Sequence, residues 1–444
     1  MQASLEKGNK KLIRAWAFYD WANSVYSLVI SSAVFPIFYS ALTVVKNDSG
    51  EIVSDRVEFL GFQFNNDALI SYVTAFAFII IAVMSPFLSG IADYIGNKKS
   101  FMKFFNYVGA LGCIGLYWFS LDFLWFGLLS YLLGLVGFWG SIVFYNSYLP
   151  DIAHKEQQDN ASSLGFSLGY IGSIILLIVC LVMILNYESF GFSSESVPTR
   201  WSFILTGIWW IGFSQYTYRI LPRSNKKKIE DSRYLFNGFR ELQTVFKKVR
   251  QNPYLEKYLT AFFIYSMAVQ TIMLIATYFG VEEIKWGETD ATTGLITSIL
   301  LIQLVAIAGA YLAAYLSKKI GNLNVLIIIN FIWISVCIYA YFIYSPVQFY
   351  IAAFFVGLVM GAIQSLSRST YSKYIPDNEK DTTSFFSFFD VTEKVGLVIG
   401  MSFYGISAQL TGSVRYSIFF LVIFFIMGVI LLFQLREKHR VSLN

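Results

Sequence analysis

The stretch from Arg14 to Ser40 constrains the fold more than any other part of the chain. It is apolar and long enough to cross a bilayer, yet its first half contains a carboxylate, Asp20. A carboxylate inside a membrane-spanning helix costs about 2.5–3.5 kcal/mol on insertion scales, so it normally faces a bundle interior or a watery cavity. Helical steps of three or four residues place on one face Trp16, Asp20, Asn23, Ser27 and Ser31. The stretch therefore predicts a helix that lines a polar path through a membrane protein.

The composition extends this prediction to the whole chain. Hydrophobic residues make up 56% and charged residues 14% of the 444 residues, whereas soluble domains carry about 25% charged residues. We therefore predict an all-α, multi-pass membrane protein with twelve transmembrane helices. The predicted spans are 14–42, 68–92, 100–120, 123–148, 161–186, 200–221, 257–280, 291–317, 323–344, 347–374, 383–409 and 414–435.

Several other classes of protein are disfavoured. Cys113, Cys180 and Cys337 lie far apart inside apolar runs, which indicates core residues and not disulfides. With two histidines and no cysteine cluster, we expect no metal site. We also expect no catalytic residues and no cofactor, and the chain carries no nucleotide-binding signature, so energy would come from ion gradients. The net charge of +5 lies in membrane-flanking loops, where topology explains it without nucleic acid.

The distribution of basic residues predicts the orientation. Most of the 33 Lys and Arg residues fall in the segments on the side of both termini, which predicts cytoplasmic termini. The chain would then lie in the cell (inner) membrane if its host is a bacterium. The five outer loops hold only Lys46, Arg56, Arg200, Lys285 and Arg415.

The two halves of the sequence resemble each other. Residues 145–151 and 371–377 share two Tyr, one Pro and one Asp at a constant offset of 226, and Ile-Gly-Asn at 95–97 recurs at 320–322. A parallel repeat of two six-helix bundles, as in major facilitator transporters, explains the match. The predicted units are an N-terminal bundle at 1–222, a cytoplasmic linker at 223–256 and a C-terminal bundle at 257–444.

Two connections carry further structure. The first outer loop, from Thr43 to Asp67, predicts a hairpin around an Asn-Asp-Ser-Gly turn, and its Asn47 begins a glycosylation sequon. In the linker, a basic SNKKK cluster precedes apolar residues at helical spacing, so an amphipathic helix would either lie on the inner membrane surface or pack on the bundle. Those apolar residues are Leu235, Phe239, Leu242, Phe246 and Val249.

The turn between spans two and three, SGIADYIGNKKS, contains candidates for a conformational latch: Asp93, Gly96, Lys98 and Lys99. They resemble the major facilitator loop signature, Gly-x-x-x-Asp-x-x-Gly followed by basic residues, with Ser89 in place of the first glycine. Asp93 would sit at a helix end, where it can pair with a cation or a helix N-terminus and hold the halves in one state. A short basic turn without function is the alternative.

Span five contains a glycine-rich stretch, with Gly165, Gly169 and Gly172 at close spacing. It resembles the fifth-helix motif of major facilitator antiporters, with Tyr170 and Ser173 in place of its proline and last glycine. Small residues at this spacing let helices approach closely. Close packing is the preferred explanation, and antiport is the alternative.

Span ten contains a cation, Arg368, on the same helical face as Gln364. Its side chain would either snorkel to the inner surface or place the guanidinium in the cavity. In the cavity it would suit a substrate carboxylate or Asp20.

Span eleven contains three ionisable residues in the run SFFSFFDVTEKVGLVIG. Asp390 and Lys394 stand at i,i+4 and can pair on one helical face. Glu393 is then left without an obvious local partner, which makes it the candidate proton carrier. A buried ion cluster that holds helices together is the alternative.

Several strings resemble the vacuole effluxer family within the major facilitator superfamily. They are YDWANSVY in span one, the loop after span two, GFSLGYIGS in span five, FRELQTVFKKVRQNPYL in the linker and GAIQSLSRSTYSKYIP in span ten. The resemblance covers nearly the whole chain and implies export of amino acids, the activity in which fungal members are implicated. It also implies a cavity lined by spans one, four, seven and ten. Lys394 fits the family pattern, whereas Asp390 and Glu393 are additions.

These observations predict a secondary transporter that works by alternating access. Both signs of charge in the spans favour a small zwitterion such as an amino acid, with a proton as candidate coupling ion. The opposite half supplies two basic residues that could pair with Asp20, Arg368 and Lys394. An acid paired with a permanent cation carries protons poorly near neutral pH, so the proton role passes from Asp20 to Glu393. We expect a monomer in the bilayer. A sugar, nucleoside or drug transporter, or a non-transporting receptor or scaffold, is the alternative. The candidate substrate and coupling residues are Asp20, Asn23, Gln364, Arg368, Asp390, Glu393 and Lys394.

Overall fold

The computed structural model describes residues 6–46, 52–222, 234–287, 290–377 and 379–441, which form twelve long helical segments at the predicted spans and one more in the linker. The first, α1, runs from Lys10 to Thr43, and its middle part, Tyr26–Val34, is wound as a wider π-helix. The other helices of the first half are α2 (Asn66–Ile95), α3 (Lys98–Gly115), α4 (Leu124–Asn146), α5 (Lys155–Leu185) and α6 (Ser196–Ile220). Those of the second half are α7 (Pro253–Glu283), α8 (Ala291–Ile320), α9 (Asn322–Phe342), α10 (Pro346–Tyr374), α11 (Thr382–Thr411) and α12 (Val414–Phe420 continued by Val422–Val441).

All twelve predicted spans coincide with these helices. Among the described residues, nine helices are long and apolar enough to cross a membrane on length and composition alone. The remaining three, α3, α6 and α11, carry more polar residues but pack lengthwise in the same bundle, α3 along α4 and α6, and α11 along α7 and α2. The largest difference at a helix end is at the start of α5. α5 begins at Lys155, well before residue 161, because the Gln157 side chain accepts a hydrogen bond from the His154 backbone N–H at 3.1 Å and caps an additional polar turn.

Two buried hydrophobic clusters correspond to the two halves of the sequence. One draws its buried residues from Leu12 to Leu221, and the other from Val245 to Leu435 together with Tyr170. Close packing within each half depends on glycine. A Cβ atom on Gly137 of α4 would lie 2.2 Å from the Cα of Gly109 in α3. Helices of the same bundle therefore touch backbone to backbone, as small residues in membrane helices allow.

The first outer loop forms two antiparallel hairpins. β1 (Val45–Lys46) pairs with β2 (Ile52–Ser54), and β3 (Arg56–Phe59) pairs with β4 (Phe62–Asn65). The pairing of β1 with β2 confirms the predicted hairpin, although its turn and the sequon at Asn47 lie outside the described residues. The second hairpin turns through Leu60 and Gly61, both with positive φ. We call this end of the bundle the hairpin face.

At the opposite end, the linker helix (Tyr234–Gln251) lies against α2, α7 and α11. Val245 and Val249 are buried there, whereas Phe239 and Phe246 are about half exposed. Of the two alternatives, packing on the bundle is therefore what the structure shows. The SNKKK cluster and the Leu235 side chain lie outside the described residues. We call this end, which also carries the start of α1 and the α2–α3, α4–α5, α8–α9 and α10–α11 turns, the linker face.

Candidate functional site

The acid within α1, Asp20, and the base within α10, Arg368, meet between the two halves. Asp20 Oδ2 lies 3.4 Å from both Nη1 and Nη2 of Arg368. The Tyr145 hydroxyl donates to the same carboxylate oxygen at 2.8 Å. Asp20 is 6% exposed and Arg368 is 3% exposed. The expectation that Asp20 faces a cation from the opposite half is confirmed for Arg368.

Although Arg368 belongs to the second half, its guanidinium is held almost entirely by the first. Nε donates to Ser162 Oγ at 2.9 Å, Nη2 to the Ser162 carbonyl at 3.0 Å and Nη1 to Asn146 Oδ1 at 3.1 Å. Its central carbon lies 4.2 Å from the ring centroid of Phe166 and 4.9 Å from that of Trp16. This is the fork geometry and aromatic stacking for which arginine is suited. The snorkelling alternative is wrong, because the head group is buried.

The glycine-rich stretch of α5 makes this pairing possible. A Cβ atom at Gly165 would lie 2.6 Å from Asp20 Oδ2 and 3.0 Å from Arg368 Nη2. One α-helical turn along, a Cβ at Gly169 would lie 2.5 Å from Ser24 Oγ. Close packing of α5 against α1 is therefore confirmed as the role of these glycines in the fold.

A second cluster of charges surrounds Lys394 in α11. Its Nζ lies 2.9 Å from Glu393 Oε2 and 3.3 Å from Asp390 Oδ1. The ammonium also lies 3.4 Å from the ring centroid of Trp139 in α4 of the other half. The predicted pairing of Asp390 with Lys394 is thus confirmed.

Two sequence-based expectations about this cluster are wrong. Glu393 has local partners, because it contacts Lys394 and its Oε1 accepts a hydrogen bond from Gln270 Nε2 in α7 at 2.6 Å. Lys394 pairs with the two acids of its own helix and not with Asp20. The charges therefore form two separate groups, one centred on Arg368 and the other on Lys394.

The two predicted polar contacts lie in different surroundings. Gln364 bridges the halves, since its Oε1 accepts a hydrogen bond from the Tyr170 hydroxyl at 2.7 Å. Asn23 is 1% exposed, and its Oδ1 accepts a weak bond from Ser24 Oγ at 3.3 Å. Within the described part of the chain, the Asn23 side-chain amide nitrogen has no hydrogen-bond partner. It is thus a donor without a partner on the helix that also carries Asp20.

Residues of the predicted latch join the halves at the linker face. Asp93 Oδ2 accepts from the Ser384 backbone N–H at 2.6 Å and Oδ1 accepts from that of Thr383 at 3.2 Å, so the carboxylate caps the first turn of α11. Lys98 binds the Asp151 carboxylate and donates to Thr382 Oγ1 at 3.0 Å. The expectation that Asp93 meets a helix N-terminus is confirmed.

The other two latch candidates act within the first half. Gly96 ends α2 in a left-handed conformation with φ 69°, which glycine adopts without strain. Lys99 donates to the Leu221 carbonyl at 2.7 Å, at the end of α6. This contact fixes one element of the first half on another, so Lys99 does not serve the predicted latch through it.

Sequence reasoning missed a second set of contacts across the linker face, centred on Asp159 of α5. Asp159 accepts hydrogen bonds from Ser317 Oγ and Asn322 Nδ2, both at 2.9 Å, and pairs with Lys373. Lys155 pairs nearby with Asp377 at 2.9 Å. The only available signal was the position of Asp159 in a polar run that the prediction left outside span five. Together with the Asp93 cap, these contacts close the linker face in this state.

A pocket in the described residues lies away from both charge groups. It has a volume of about 550 Å³ and sits at the hairpin face between the α3–α4 turn and the start of α6. Its lining is aromatic apart from Ser120 and Arg200. Such aromatic residues are typical of the membrane–water interface, so we place the candidate site at the buried charges instead.

The chain is similar to known transporters over nearly its full length. The profile of the family described as "Vacuole effluxer Atg22 like" matches residues 8–441. An uncharacterised MFS-type transporter of Bacillus subtilis (strain 168), YxiO, is 31% identical over 427 residues, which cover 96% of this chain and 94% of the relative. Autophagy-related protein 22 of Kluyveromyces lactis is 24% identical over 477 residues, covering 95% and 92% of the two chains.

Solved structures agree on the fold. The major facilitator transporter FucP in its outward conformation superposes with a TM-score of 0.67 at 14% identity, covering 96% of this chain and 98% of that chain. A bacterial homologue of the iron transporter ferroportin in an outward-facing state gives 0.64 at 11% identity, with the same coverage. The predicted twelve-helix architecture of two six-helix bundles is confirmed by this likeness.

Proposed function

Because the chain belongs to the Atg22-like vacuole effluxer family of the major facilitator superfamily, we propose that it carries small zwitterionic solutes, with amino acids as the favoured class. The protein is a multi-pass membrane transporter of small molecules and not an enzyme. Transport would proceed by alternating access, with a bundle at 1–222 rocking against a bundle at 257–444 and a linker at 223–256 between them.

The observation that carries the proposal is the buried Asp20–Arg368 pair between the halves. Breaking a buried ion pair without replacement costs about 3–5 kcal/mol, so the halves separate there only if something else satisfies the charges. A substrate carboxylate would take the place of Asp20 on the Arg368 fork. Opening of the linker face is thereby tied to the presence of an anionic group.

The second charge group supports a zwitterion in preference to a simple anion. Asp390, Glu393 and Lys394 together carry one net negative charge when all three are ionised. An ammonium group suits this environment, as a carboxylate suits Arg368. Asn23 and Gln364 would add polar contacts between the two groups.

A proton is the proposed coupling ion, with Glu393 as its carrier. Asp20 lies beside a guanidinium that stays charged, so the proposal assigns it the role of partner of Arg368 and not that of proton carrier. Glu393 and Asp390 both contact Lys394. Glu393 can lose its ion pair with Lys394 and still keep its hydrogen bond with Gln270. Protonation of Glu393 would then weaken its hold on Lys394, which keeps its contact with Asp390.

The proposed setting follows from the charges at the ends of the helices. The linker face would be cytoplasmic, with both termini on that side, in the inner membrane if the host is a bacterium. The transporter would act as a monomer.

The direct test is uptake by purified protein in proteoliposomes, with a panel of labelled amino acids and with sugars and nucleosides as competitors. We expect saturable uptake of at least one amino acid that exceeds equilibrium only when a proton gradient is imposed. Uptake of a sugar or nucleoside alone would contradict the zwitterion assignment. No flux of any solute, from protein shown to be folded, would overturn the proposed function.

The coupling role is tested by Glu393→Gln, which keeps the shape of the side chain and a hydrogen bond to Gln270. We expect gradient-driven accumulation to disappear while counterflow of the same solute persists within about threefold, because only the proton step is lost. Glu282→Gln, which removes an exposed acid elsewhere in the second half, controls for a general change of charge. Accumulation that survives in Glu393→Gln would make Glu393 structural.

A further inference from the structure

Lys394 sits in a cage whose chemistry is that of an ammonium-binding site. Two carboxylates lie 2.9 Å and 3.3 Å from its Nζ, and the Trp139 ring centroid lies 3.4 Å away. The side chain is 3% exposed. Carboxylates accept the N–H bonds of an ammonium and an indole face attracts its charge, so the three groups together recognise a primary ammonium ion.

The cage has more acceptors than its lysine satisfies. Asp390 is 4% exposed, and in the described part of the chain its Oδ2 has no hydrogen-bond partner. A buried carboxylate oxygen without a donor is costly. The cage can therefore bind a further N–H donor. It can also bind a replacement for Lys394 that donates to both carboxylates more completely.

The cage is assembled from both halves of the molecule. Trp139 lies on α4, whereas Asp390, Glu393 and Lys394 lie on α11 and Gln270 lies on α7. We call the Trp139 ring the aromatic wall and the carboxylates of Asp390 and Glu393 the acidic wall. The two walls can therefore separate when the halves move. The contacts of an occupant that is bound by both walls would change directly with that movement.

We propose that Lys394 is the built-in occupant of a site for a primary ammonium group, and that the ammonium of the transported solute displaces it. The inference rests on the proposed function and names the part of the substrate that this second charge group binds. Displaced from the cage, Lys394 remains a cation on a flexible four-carbon stem, which can move aside without leaving the helix. The solute then bridges the Trp139 wall and the acidic wall.

The cage is tested without transport by chemical rescue. Lys394→Ala empties the site, and thermal unfolding of the purified variant is followed in ethylammonium chloride, tetramethylammonium chloride, ethanol or sodium chloride. We expect ethylammonium alone to raise the melting temperature saturably. Lys373→Ala is the matched control, since Lys373 pairs with Asp159 and Asn322 and, among the described residues, contacts no aromatic ring. In Lys373→Ala, the rise in melting temperature should reach half of its maximum at an ethylammonium concentration about tenfold higher, or no rise should occur.

The alternatives give different results. Equal stabilisation by sodium chloride would mean a metal-cation site and would overturn the ammonium assignment. No selective effect of ethylammonium on folded Lys394→Ala would overturn the cage itself. Because this assay needs no flux, absence of transport in the wild type would overturn the proposed function and leave the rescue result standing.

A second variant keeps the proposal testable if Lys394→Ala does not fold. Trp139→Leu retains an apolar side chain and all three charges but removes the aromatic wall. We expect the KM for amine-bearing solutes to rise about tenfold while the maximal rate stays within about twofold. Trp125→Leu, on the same helix and largely exposed, should leave both unchanged. An unaltered KM in Trp139→Leu would overturn the role of the ring.

Discussion

At the scale of single residues, Arg368 is defined by the geometry of its donors and not only by its charge. Three of its nitrogens reach acceptors on α1, α4 and α5. We expect Arg368→Lys to lower the initial rate of solute uptake by at least about tenfold, because an ammonium cannot reach these separated acceptors together. Lys373→Arg, a swap at a point-charge pair, is the matched control and should lower the rate less than about threefold. Equal losses in both would show that charge alone matters.

Gly165 is the second residue whose role is set by distance. We expect Gly165→Ala to destabilise the closed pairing by about 1–3 kcal/mol, because its Cβ would overlap the Asp20 carboxylate. The readout is the melting temperature together with the uptake rate. Gly212→Ala is the control, since a Cβ there meets nothing within 4 Å. A Gly165→Ala variant as stable and active as Gly212→Ala would contradict the observed geometry.

Residue patterns predicted some partners and not others. Asp20 and Arg368 could be predicted as a pair because a charge inside a span needs an opposite charge and few are available. The partners of Glu393 could not be predicted. Gln270 is distant in sequence, and adjacent residues on a helix ordinarily do not face each other, so the bond between Glu393 and Lys394 breaks the i,i+4 rule used for prediction.

At the scale of elements, the linker helix is fastened to the α10–α11 connection by one lysine. Lys248 Nζ lies 2.9 Å from both Glu379 and Asp381. Burial alone would lower the pKa of Lys248, but the two carboxylates outweigh it and the pKa is raised. The lysine therefore stays charged as the pH rises to its ordinary pKa, and the contribution of its charge is lost only on passing through the raised value.

We expect Lys248→Gln to loosen the linker helix. Amide hydrogen exchange over residues 242–251 should become about tenfold faster, and the difference from wild type should stay constant between about pH 6 and pH 9. Lys247→Gln, on the exposed neighbour, is the control and should leave exchange unchanged. Equal exchange in the two variants would mean that the apolar contacts of Val245 and Val249 hold the helix by themselves.

Helical periodicity predicted the linker helix, but not the surface that covers it. Its apolar face would suit a bilayer or a protein groove equally well, and the choice depends on how α2 and α11 come together. That contact joins residues far apart in sequence, so no local sequence pattern can predict it. The same reason hid the second set of linker-face contacts, since Asp159 meets Ser317, Asn322 and Lys373 only through the packing of the two halves.

At the scale of the whole molecule, the state seen here is closed at the linker face. The Asp93 cap is one of the contacts that stabilise this closed state. The described cysteines are all buried, so a new cysteine can report opening. Thr383 is a suitable position because it is fully buried. In a Thr383→Cys background we expect Asp93→Ala to speed maleimide labelling by about tenfold, as loss of a charge-assisted cap favours separation.

The control for this experiment is Asp290→Ala. Asp290 also caps a helix, by accepting from the Thr293 backbone N–H at 2.9 Å, but it lies within one half at the hairpin face. Its loss should leave labelling at position 383 unchanged. If both variants speed labelling alike, the effect is general destabilisation and not release of the latch.

The unequal number of acids and bases around the two buried groups has an electrical consequence. Asp20 and Arg368 cancel, whereas Asp390 and Glu393 face the single charge of Lys394. A zwitterion adds no net charge and a proton adds one. With the proposed zwitterion and proton bound, the carrier would therefore reorient nearly neutral, whereas the empty carrier would reorient with one negative charge. A membrane voltage acts on such a charge with about 2.3 kcal/mol per 100 mV. A voltage negative on the linker side would therefore drive the empty site to open toward the hairpin face, and voltage would set the rate of the return step.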